Sequence, residues 1–456
     1  MEAPKPQAVV VGGSIAGLSC AHALISAGWR VTVFEKSASP PDGSPTGAGL
    51  CLDPQSLRFL SRWISDPHLH DVTSPLSIDL VRSLFPSRSS LLFQPVLEYS
   101  PILLCVMQNR LTDSGTKDSR TLTRDEDFDF RAAHWADLHS ILLRTLPLGT
   151  VLWGHQFMSF EVSDGRSSVV TKARVLRTDE IIGIASDLVV AADGCLSSIR
   201  RQLFPNSKLR YSGYYAWRGI LDFSGRENDD IILGIRQSYP DLADCLYFDL
   251  ALATHCVLYE LKGHRLNWLW YINGPEPERK ESSLTVKVSD SMIETMHEEA
   301  DKVWVPELAR VMKETKEPFI NIIYDSDPLP KLFRDNVVLV GDAAHPTTPH
   351  GLRSTNMSIQ DAAVLGCCLK KWGLENLSSA LEEYQSIRLP VISKQVLHAR
   401  KLGRIKQGLA LNCGRTFDPT TARQEECLQL QQRSMPYFEG VPITFDITLP
   451  SEQIGS

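Results

Sequence analysis

Three short segments, far apart in the chain, each carry glycine and an acid at the end of an apolar run. The first is Gly12-Gly13-Ser14-Ile15-Ala16-Gly17, which directly follows Ala8-Val9-Val10-Val11 and is answered by Glu35 at the end of Val31-Thr32-Val33-Phe34. Binding a dinucleotide requires backbone N–H groups at a helix start and a turn that comes close to a pyrophosphate, with an acid about 20 residues on for the ribose hydroxyls. Gly12, Gly17 and Glu35 meet that spacing, whereas Ser14 stands where the pattern has its middle glycine and adds a hydroxyl near the phosphates. An acid at Glu35 suits a ribose diol better than a 2′-phosphate. The second segment is Asp187–Ala192 running into Asp193-Gly194 and on to Ser197 and Arg200. The third is Val337–Val340 running into Gly341-Asp342-Ala343-Ala344-His345-Pro346. An acid at such a strand end accepts from sugar or ribityl hydroxyls, and taken singly it reads equally well as a solvated turn residue. The three in this order make the signal.

Such turns need parallel strands behind them. The continuous apolar runs at 8–11, 187–192 and 336–340 have the pattern of strands buried on both faces. Leu18–Ala27 is predicted as the first helix, stopped by Gly28. Helices are also predicted from about Asp53, over Phe130–Leu146, and from about Ser358 through the C-terminal third. Residues 208–325 change to short alternating runs such as Ala216–Phe223 and Arg265–Ile272, which predict an antiparallel sheet. Strand-like pieces also fall within 76–125, and Ser114–Asp127 reads as an exposed loop. The fold class is therefore α/β, with a discontinuous Rossmann-like dinucleotide domain over 1–75, 126–207 and 328–405. A mostly antiparallel substrate sheet is inserted over 76–125 and 208–327. A helical or irregular segment over 406–456 either caps the fold or contacts a second copy.

The chain has 456 residues, 43% hydrophobic and 22% charged, with a formal net charge of −7. This excludes disordered and fibrous classes and gives no basic face for nucleic acid. No apolar run reaches the roughly 18 residues of a membrane span. The opening residues lack an apolar signal region, and the ten cysteines show neither zinc spacing nor a disulfide framework. A soluble, cytoplasmic protein without a metal is expected. His345 and His350 have no acidic or thiolate partners at metal spacing, and His345 reads as part of the third turn.

In these residues the chain resembles the class A FAD-dependent aromatic hydroxylases of the p-hydroxybenzoate hydroxylase type. The finer likeness is to the 2,6-dihydroxypyridine 3-hydroxylase subgroup, through the first glycine turn, Trp217-Arg218-Gly219, Arg265–Tyr271 and Pro349-His350, and it spans most of 8–410. The resemblance implies a GR2-type FAD domain. Gly12, Gly13, Ser14, Ile15, Ala16 and Gly17 would then meet the pyrophosphate, with Glu35 and Lys36 also on the cofactor. Asp193, with Gly194, would serve both FAD and the nicotinamide donor, while Gly341 and Asp342 hold the ribityl chain. Gly47-Ala48-Gly49 resembles the family's loop beside the flavin, and Arg131 resembles its FAD-contacting arginine, although a solvated helix-end charge is an equal reading. Many relatives follow the Gly-Asp turn with Pro-x-x-Gly-x-Gly-x-Asn, whose amides face the flavin. Here that loop reads Pro349-His350-Gly351-Leu352-Arg353-Ser354-Thr355-Asn356, with Ser354 and Thr355 implied at the cofactor and Arg353 and Ser354 standing in a loop that differs from the family's.

The implied activity is a single-component monooxygenase. NAD(P)H reduces FAD, O2 adds at the flavin C4a, and one oxygen atom of that hydroperoxide passes to a phenol- or hydroxypyridine-like ring. Activating such a ring requires a cation or proton acceptor near its hydroxyl. Arg218 is the first candidate, with a structural ion pair as the competing reading. Tyr247 and Tyr259 are weaker candidates, since a core tyrosine with a satisfied hydroxyl is the commoner case. Trp268 and Trp270 share one face of their strand and read as core, with Tyr271 on the other face. The same flavin chemistry also serves epoxidation, dearomatisation and decarboxylative hydroxylation. A nicotinamide-dependent dehydrogenase has no use for the distal Gly341-Asp342 element, and a non-catalytic flavin-fold binding protein has none for Arg218. The expected partners are a small aromatic molecule and O2, with no nucleic acid or membrane; the chain is expected to be a monomer or homodimer.

Overall fold

The computed structural model describes residues 5–41, 48–64, 69–79, 103–125, 129–165, 168–278, 283–411 and 414–431. Gly47, the strand-like pieces expected within 80–102, the end of the 114–127 loop and the tail with Arg433 and Pro436 lie outside these residues. Strands Gln7–Val11, Arg30–Glu35, Val151–Trp153, Leu188–Ala191 and Val337–Leu339 form a parallel sheet, with Phe333–Arg334 antiparallel at one edge. The Gln7–Val11 strand lies between Arg30–Glu35 and Leu188–Ala191, and the latter pairs onward to Val337–Leu339. Val9 is in register with Val189, and Val189 with Val337. The three glycine-acid segments therefore end side by side at the carboxyl edge of one sheet, where open α/β folds bind ligands. Ala8 to Val10, Leu188 to Ala191 and Val337 to Leu339 are all fully buried, which is why these runs lack alternation.

Helix Ile15–Ser26 follows the first strand and crosses helix Ser354–Trp372 closely: a Cβ on Gly366 would stand 2.9 Å from the Ala23 carbonyl oxygen. A three-stranded sheet, His155–Val162, Val169–Val175 and Glu180–Ser186, joins the same core. The helix expected over Phe130–Leu146 divides in two. Arg131–His134 is a strand between Gly49–Leu52 and Thr73–Pro75, and the helix is Trp135–Arg144. Pairing overrides local propensity here because it buries Ala132 and Ala133 completely.

The inserted sheet has nine strands, antiparallel except where Cys245–Ala251 runs parallel to Leu103–Thr112. Its centre is Leu209–Asp222, Arg265–Asn273 and Thr254–Leu261, flanked by Phe319–Ser326 and Cys245–Ala251. One face, carrying Trp217, Tyr247, Leu258, Trp268 and Trp270, is covered by helices Asp230–Ser238, Asp290–Val303 and Pro306–Glu314. The other face carries Tyr214, Phe248, Val257, Tyr259, Leu269 and Tyr271. Residues 414–431 lie back on this sheet, with Phe417, Cys427 and Leu430 in its core and Gln424 Nε2 donating to the Leu122 carbonyl at 3.0 Å. Among the described residues no helix is long and apolar enough to cross a membrane.

Helix Leu377–Lys406 carries a lysine into the interior at its last residue. Lys406 is 1% exposed; its Nζ lies 3.0 Å from the Phe248 ring centroid and has no hydrogen-bond partner. Beside it, His350 and His255 meet Nε2 to Nε2 at 3.3 Å, and His255 Nδ1 lies 2.7 Å from Gln407 Oε1. An amide oxygen only accepts, so His255 carries its proton on Nδ1 and His350 donates to it from Nε2. Burial first pushes both histidines well below the usual range, followed by His350 and then Lys406 at His255 and by Lys406 at His350; burial outweighs the pull of Asp125 and pushes Lys406 well below that of a lysine. The folded lysine therefore releases its proton at a lower pH than the unfolded one, which holds it up to about pH 10.4. The expected outcome for Lys406→Met is a stabilised protein whose advantage grows as pH falls from 9 to 7, by at most about 1.4 kcal/mol per pH unit. Thermal melts across that range check it; an advantage that shrinks toward pH 7 would contradict the lowered lysine pKa.

Candidate active site

The first glycine turn is built by close approach. Gly12 has φ +108°, and a Cβ there would lie 2.3 Å from the Ala192 carbonyl oxygen; one on Gly17 would lie 1.8 Å from the Gly12 carbonyl oxygen. Both positions are closed to any side chain, and the turn sits flush between the first two strand ends. Glu35 braces it: Oε2 accepts from the Gly13 amide at 2.7 Å and Oε1 from Ser37 N at 2.8 Å. Each carboxylate oxygen retains a lone pair for ribose hydroxyls. A cavity of about 1170 Å³ opens over this turn, lined by Gly12 to Ser14, Glu35, Lys36 and Asp193 with Trp135, His139, Trp153 and His155. His139 fixes the turn from the side, its Nε2 2.8 Å from the Gly13 carbonyl oxygen; burial lowers its basicity, which keeps it neutral at physiological pH. Ile15, Ala16 and Gly17 form the start of the helix beneath and do not line the cavity.

The second and third strand ends are stapled together. Asp193 Oδ2 accepts from Ser198 N at 2.8 Å and Ile199 N at 3.3 Å, while its buried Oδ1 has no partner. Arg200, 2% exposed, donates through one terminal nitrogen to the Asp342 and Ala343 carbonyls, both at 3.0 Å, and through the other to Cys195 O. Beneath the Gly341-Asp342 turn lies Asp361, fully buried. It accepts from Gly341 N at 2.9 Å, Arg388 Nε at 2.7 Å and His345 Nε2 at 2.5 Å. Burial would raise its carboxyl pKa, but His345 and Arg388 hold it below the ordinary value. Gly341 itself has φ +57°, and a Cβ would meet Ser358 Oγ at 2.8 Å. Asp342 is left facing outward, its Oδ1 accepting from Ser354 Oγ at 2.7 Å.

A second cavity of about 350 Å³ lies between this edge and the open face of the inserted sheet. Asp342, Gly49, Ser354 and Thr355 form its nucleotide side; Phe248, Val257, Tyr259, Leu269 and Tyr271 form its aromatic and aliphatic side. Trp135 borders both cavities. Gly49 is held at both ends: its amide donates to Asn267 Oδ1 at 2.9 Å and its carbonyl accepts from Arg218 at 3.4 Å. A Cβ on Gly49 would lie 2.6 Å from the Tyr259 hydroxyl. Arg218 also donates to Asn321 Oδ1 at 3.2 Å, and its buried Nε has no partner. Burial lowers its pKa, with partial compensation from Tyr271 and Tyr259. Its side-chain partners are thus neutral, and no carboxylate is paired with it among the described residues.

Two sequence expectations need correction. Tyr247 pairs across from Leu258 and so points to the helix-covered face, where its hydroxyl donates to the Pro240 carbonyl; it borders neither cavity. Strand alternation removes it from any substrate role, while Tyr259 and Tyr271, on the opposite parity, face the cavity. Arg131 turns to the neighbouring strand, its Nε donating to Thr73 Oγ1 at 2.7 Å and a terminal nitrogen to Thr73 O at 2.8 Å, and lines neither cavity. Arg353 in that loop is turned inward: its guanidinium forms a buried ion pair with Asp53 at 2.9 Å, where Gln360 Nε2 also donates at 3.1 Å. Sequence reasoning left Asp361, Arg388, Asn267 and Asn321 without a role. Each is one polar residue in an apolar or helical run, and its partner lies on another element.

The backbone cradle, the acid at Glu35, the outward Asp342 and two cavities that share Trp135 in their walls fit a flavin dinucleotide, which needs room for two nucleotide halves and a ring. Residues 325–399 match a family described as FAD binding domain, and residues 10–40 one described as NAD(P)-binding Rossmann-like domain. The chain is 26% identical over 400 residues to 6-hydroxynicotinate 3-monooxygenase of Pseudomonas fluorescens, covering 86% of this chain and 89% of that one. It is 27% identical over 399 residues to 3-amino-4-hydroxybenzoate 2-monooxygenase of Streptomyces cremeus, covering 86% of each. The structure of 2,6-dihydroxypyridine-3-hydroxylase from Arthrobacter nicotinovorans shares the fold at a TM-score of 0.70 and 19% identity, over 92% of this chain and 98% of that one. With both strand-end turns in place at one sheet edge, the chain is a single-component flavoprotein monooxygenase that uses FAD, NAD(P)H and O2, and it is similar over most of its length to FAD-dependent aromatic hydroxylases.

Proposed function

We propose that the enzyme hydroxylates a single-ring phenol or hydroxypyridine bearing an acidic oxygen, which is met as an anion by Arg218. The observation that carries this is a buried guanidinium without a carboxylate partner, with one unpartnered N–H, in a small aromatic-lined cavity beside Asp342 and Gly49. The relatives named above act on single rings.

In this reading the Gly12-Gly13-Ser14 turn, at the start of the helix, faces the pyrophosphate, Glu35 takes ribose hydroxyls, and Lys36 and Asp193 complete that wall. Gly341 and Asp342 hold the ribityl chain, and Gly49, Ser354 and Thr355 border the ring. Bound FAD supplies a hydride acceptor for NAD(P)H and a means of activating O2 to deliver one oxygen atom to an electron-rich carbon. The chain's own contribution is orientation, water exclusion and charge. Arg218 draws the ring hydroxyl toward its ionised form, and an ionised oxygen raises electron density at the neighbouring ring carbons. The buried setting strengthens that attraction, because little solvent screens it. Tyr259 and Tyr271, with hydroxyl pKa values raised by burial, stay protonated and are hydrogen-bonding groups rather than bases. The cysteine usage noted above supports placing this activity in the cytoplasm.

Two substitutions separate cofactor from substrate. Asp342→Ala is expected to purify with several-fold less FAD per protein, read from the flavin absorbance; a normal ratio counts against the ribityl assignment. Arg218→Ala is expected to keep its FAD and lose substrate-stimulated NAD(P)H oxidation by about 10²–10³-fold in kcat/KM, as for removal of an anion-stabilising donor. Arg218→Lys should recover part of that loss. Unchanged turnover in Arg218→Ala would make the arginine structural.

A further inference from the structure

Leu352 has φ +59° and follows Gly351 at +88°, so two consecutive residues occupy the left-handed region and only the first is glycine. A branched side chain there is strained, and strain kept beside a cavity points to a use for the group that causes it. The backbone itself does not need leucine. Its amide donates to the Pro349 carbonyl at 3.1 Å, and its carbonyl accepts from Asn356 Nδ2 at 2.7 Å. Asn356 is anchored in turn on the Cys51 carbonyl and the Asp53 amide, both at 2.9 Å. Glycine would make every one of these bonds without strain. Nor is the isobutyl group committed to the core: Leu352 is half-buried, at the margin of the cluster on the sheet's open face, and forms part of the wall of the smaller cavity with Phe248, Val257, Leu269 and Tyr271.

We propose that Leu352 is a specificity-determining residue, whose side chain, held in a strained turn, narrows the substrate cavity to the size of one ring. This rests on the aromatic-substrate reading above. The test uses the FAD-loaded enzyme and its Leu352→Gly and Leu352→Ala variants. Each is titrated with salicylate and 1-hydroxy-2-naphthoate, and with 2-hydroxypyridine and 2-hydroxyquinoline, following the flavin spectrum. In both variants the Kd of the fused ring relative to its single-ring counterpart should fall at least tenfold. In melts of the same proteins Leu352→Gly should unfold above Leu352→Ala, because only glycine relieves the turn. An unchanged Kd ratio would overturn the specificity role, and a glycine variant melting below the alanine variant would overturn the strain argument. Silence of all four compounds on every form would instead overturn the aromatic-substrate reading, and this inference with it.

Discussion

A fully buried carboxylate, Asp361, is the interaction on which the site depends. Placing an ion there costs several kcal/mol before any partner is counted. Three donors offset that cost, and each comes from a different part of the chain: Gly341 N from the third strand end, His345 from the loop after it, and Arg388 from the long C-terminal helix. The carboxylate thus fixes the amide side of the Gly341-Asp342 turn from below. Arg200 fixes the carbonyl side from the second strand end. Asp342 is left with nowhere to point but outward, and its position is set by charges that never meet a ligand.

Substrate recognition depends on a different constraint, the two-residue period of the inserted sheet. Along Arg265–Asn273, the odd-numbered Asn267, Leu269 and Tyr271 face the nucleotide domain, while Trp268 and Trp270 face the helices. Along Leu209–Asp222 the same alternation sends Trp217 to the helices and Arg218 to the cavity. One face therefore holds a conventional core and the other a binding wall, so a shift of one residue in register would exchange them.

The parts legible in sequence were those carried by local pattern. Val9 to Val11 with Gly12, and Val337 to Val340 with Gly341, announce both strand and turn because buried parallel strands are continuously apolar and the glycines have steric reasons to be there. Arg218 was singled out through the Trp217-Arg218-Gly219 segment of the resemblance, on a strand of the inserted sheet. Tyr247 and Arg131 show the limit: residue type gave a role, but strand parity and a neighbouring hydroxyl decided the partner. Asp361 could not be found at all from its surroundings, since an acid within a helix is ordinarily a solvated charge. Its meaning lies in Arg388, 27 residues on, and in Gly341, 20 residues back.

The segment 414–431 closes the far side of the inserted sheet, where Gln424 and Gln431 donate to carbonyls of Leu122 and Arg124 about three hundred residues earlier. Phe417, Cys427 and Leu430 fill the same core. The substrate-binding half is thus assembled from the early, middle and last parts of the chain. During synthesis it cannot be finished until residues up to about 431 have been made, although the first strand-turn-helix is complete by Ser26. Contacts so distant in sequence slow folding and leave strand edges uncovered meanwhile. Truncation near residue 410 would accordingly expose the apolar side of the sheet while leaving the dinucleotide turn intact.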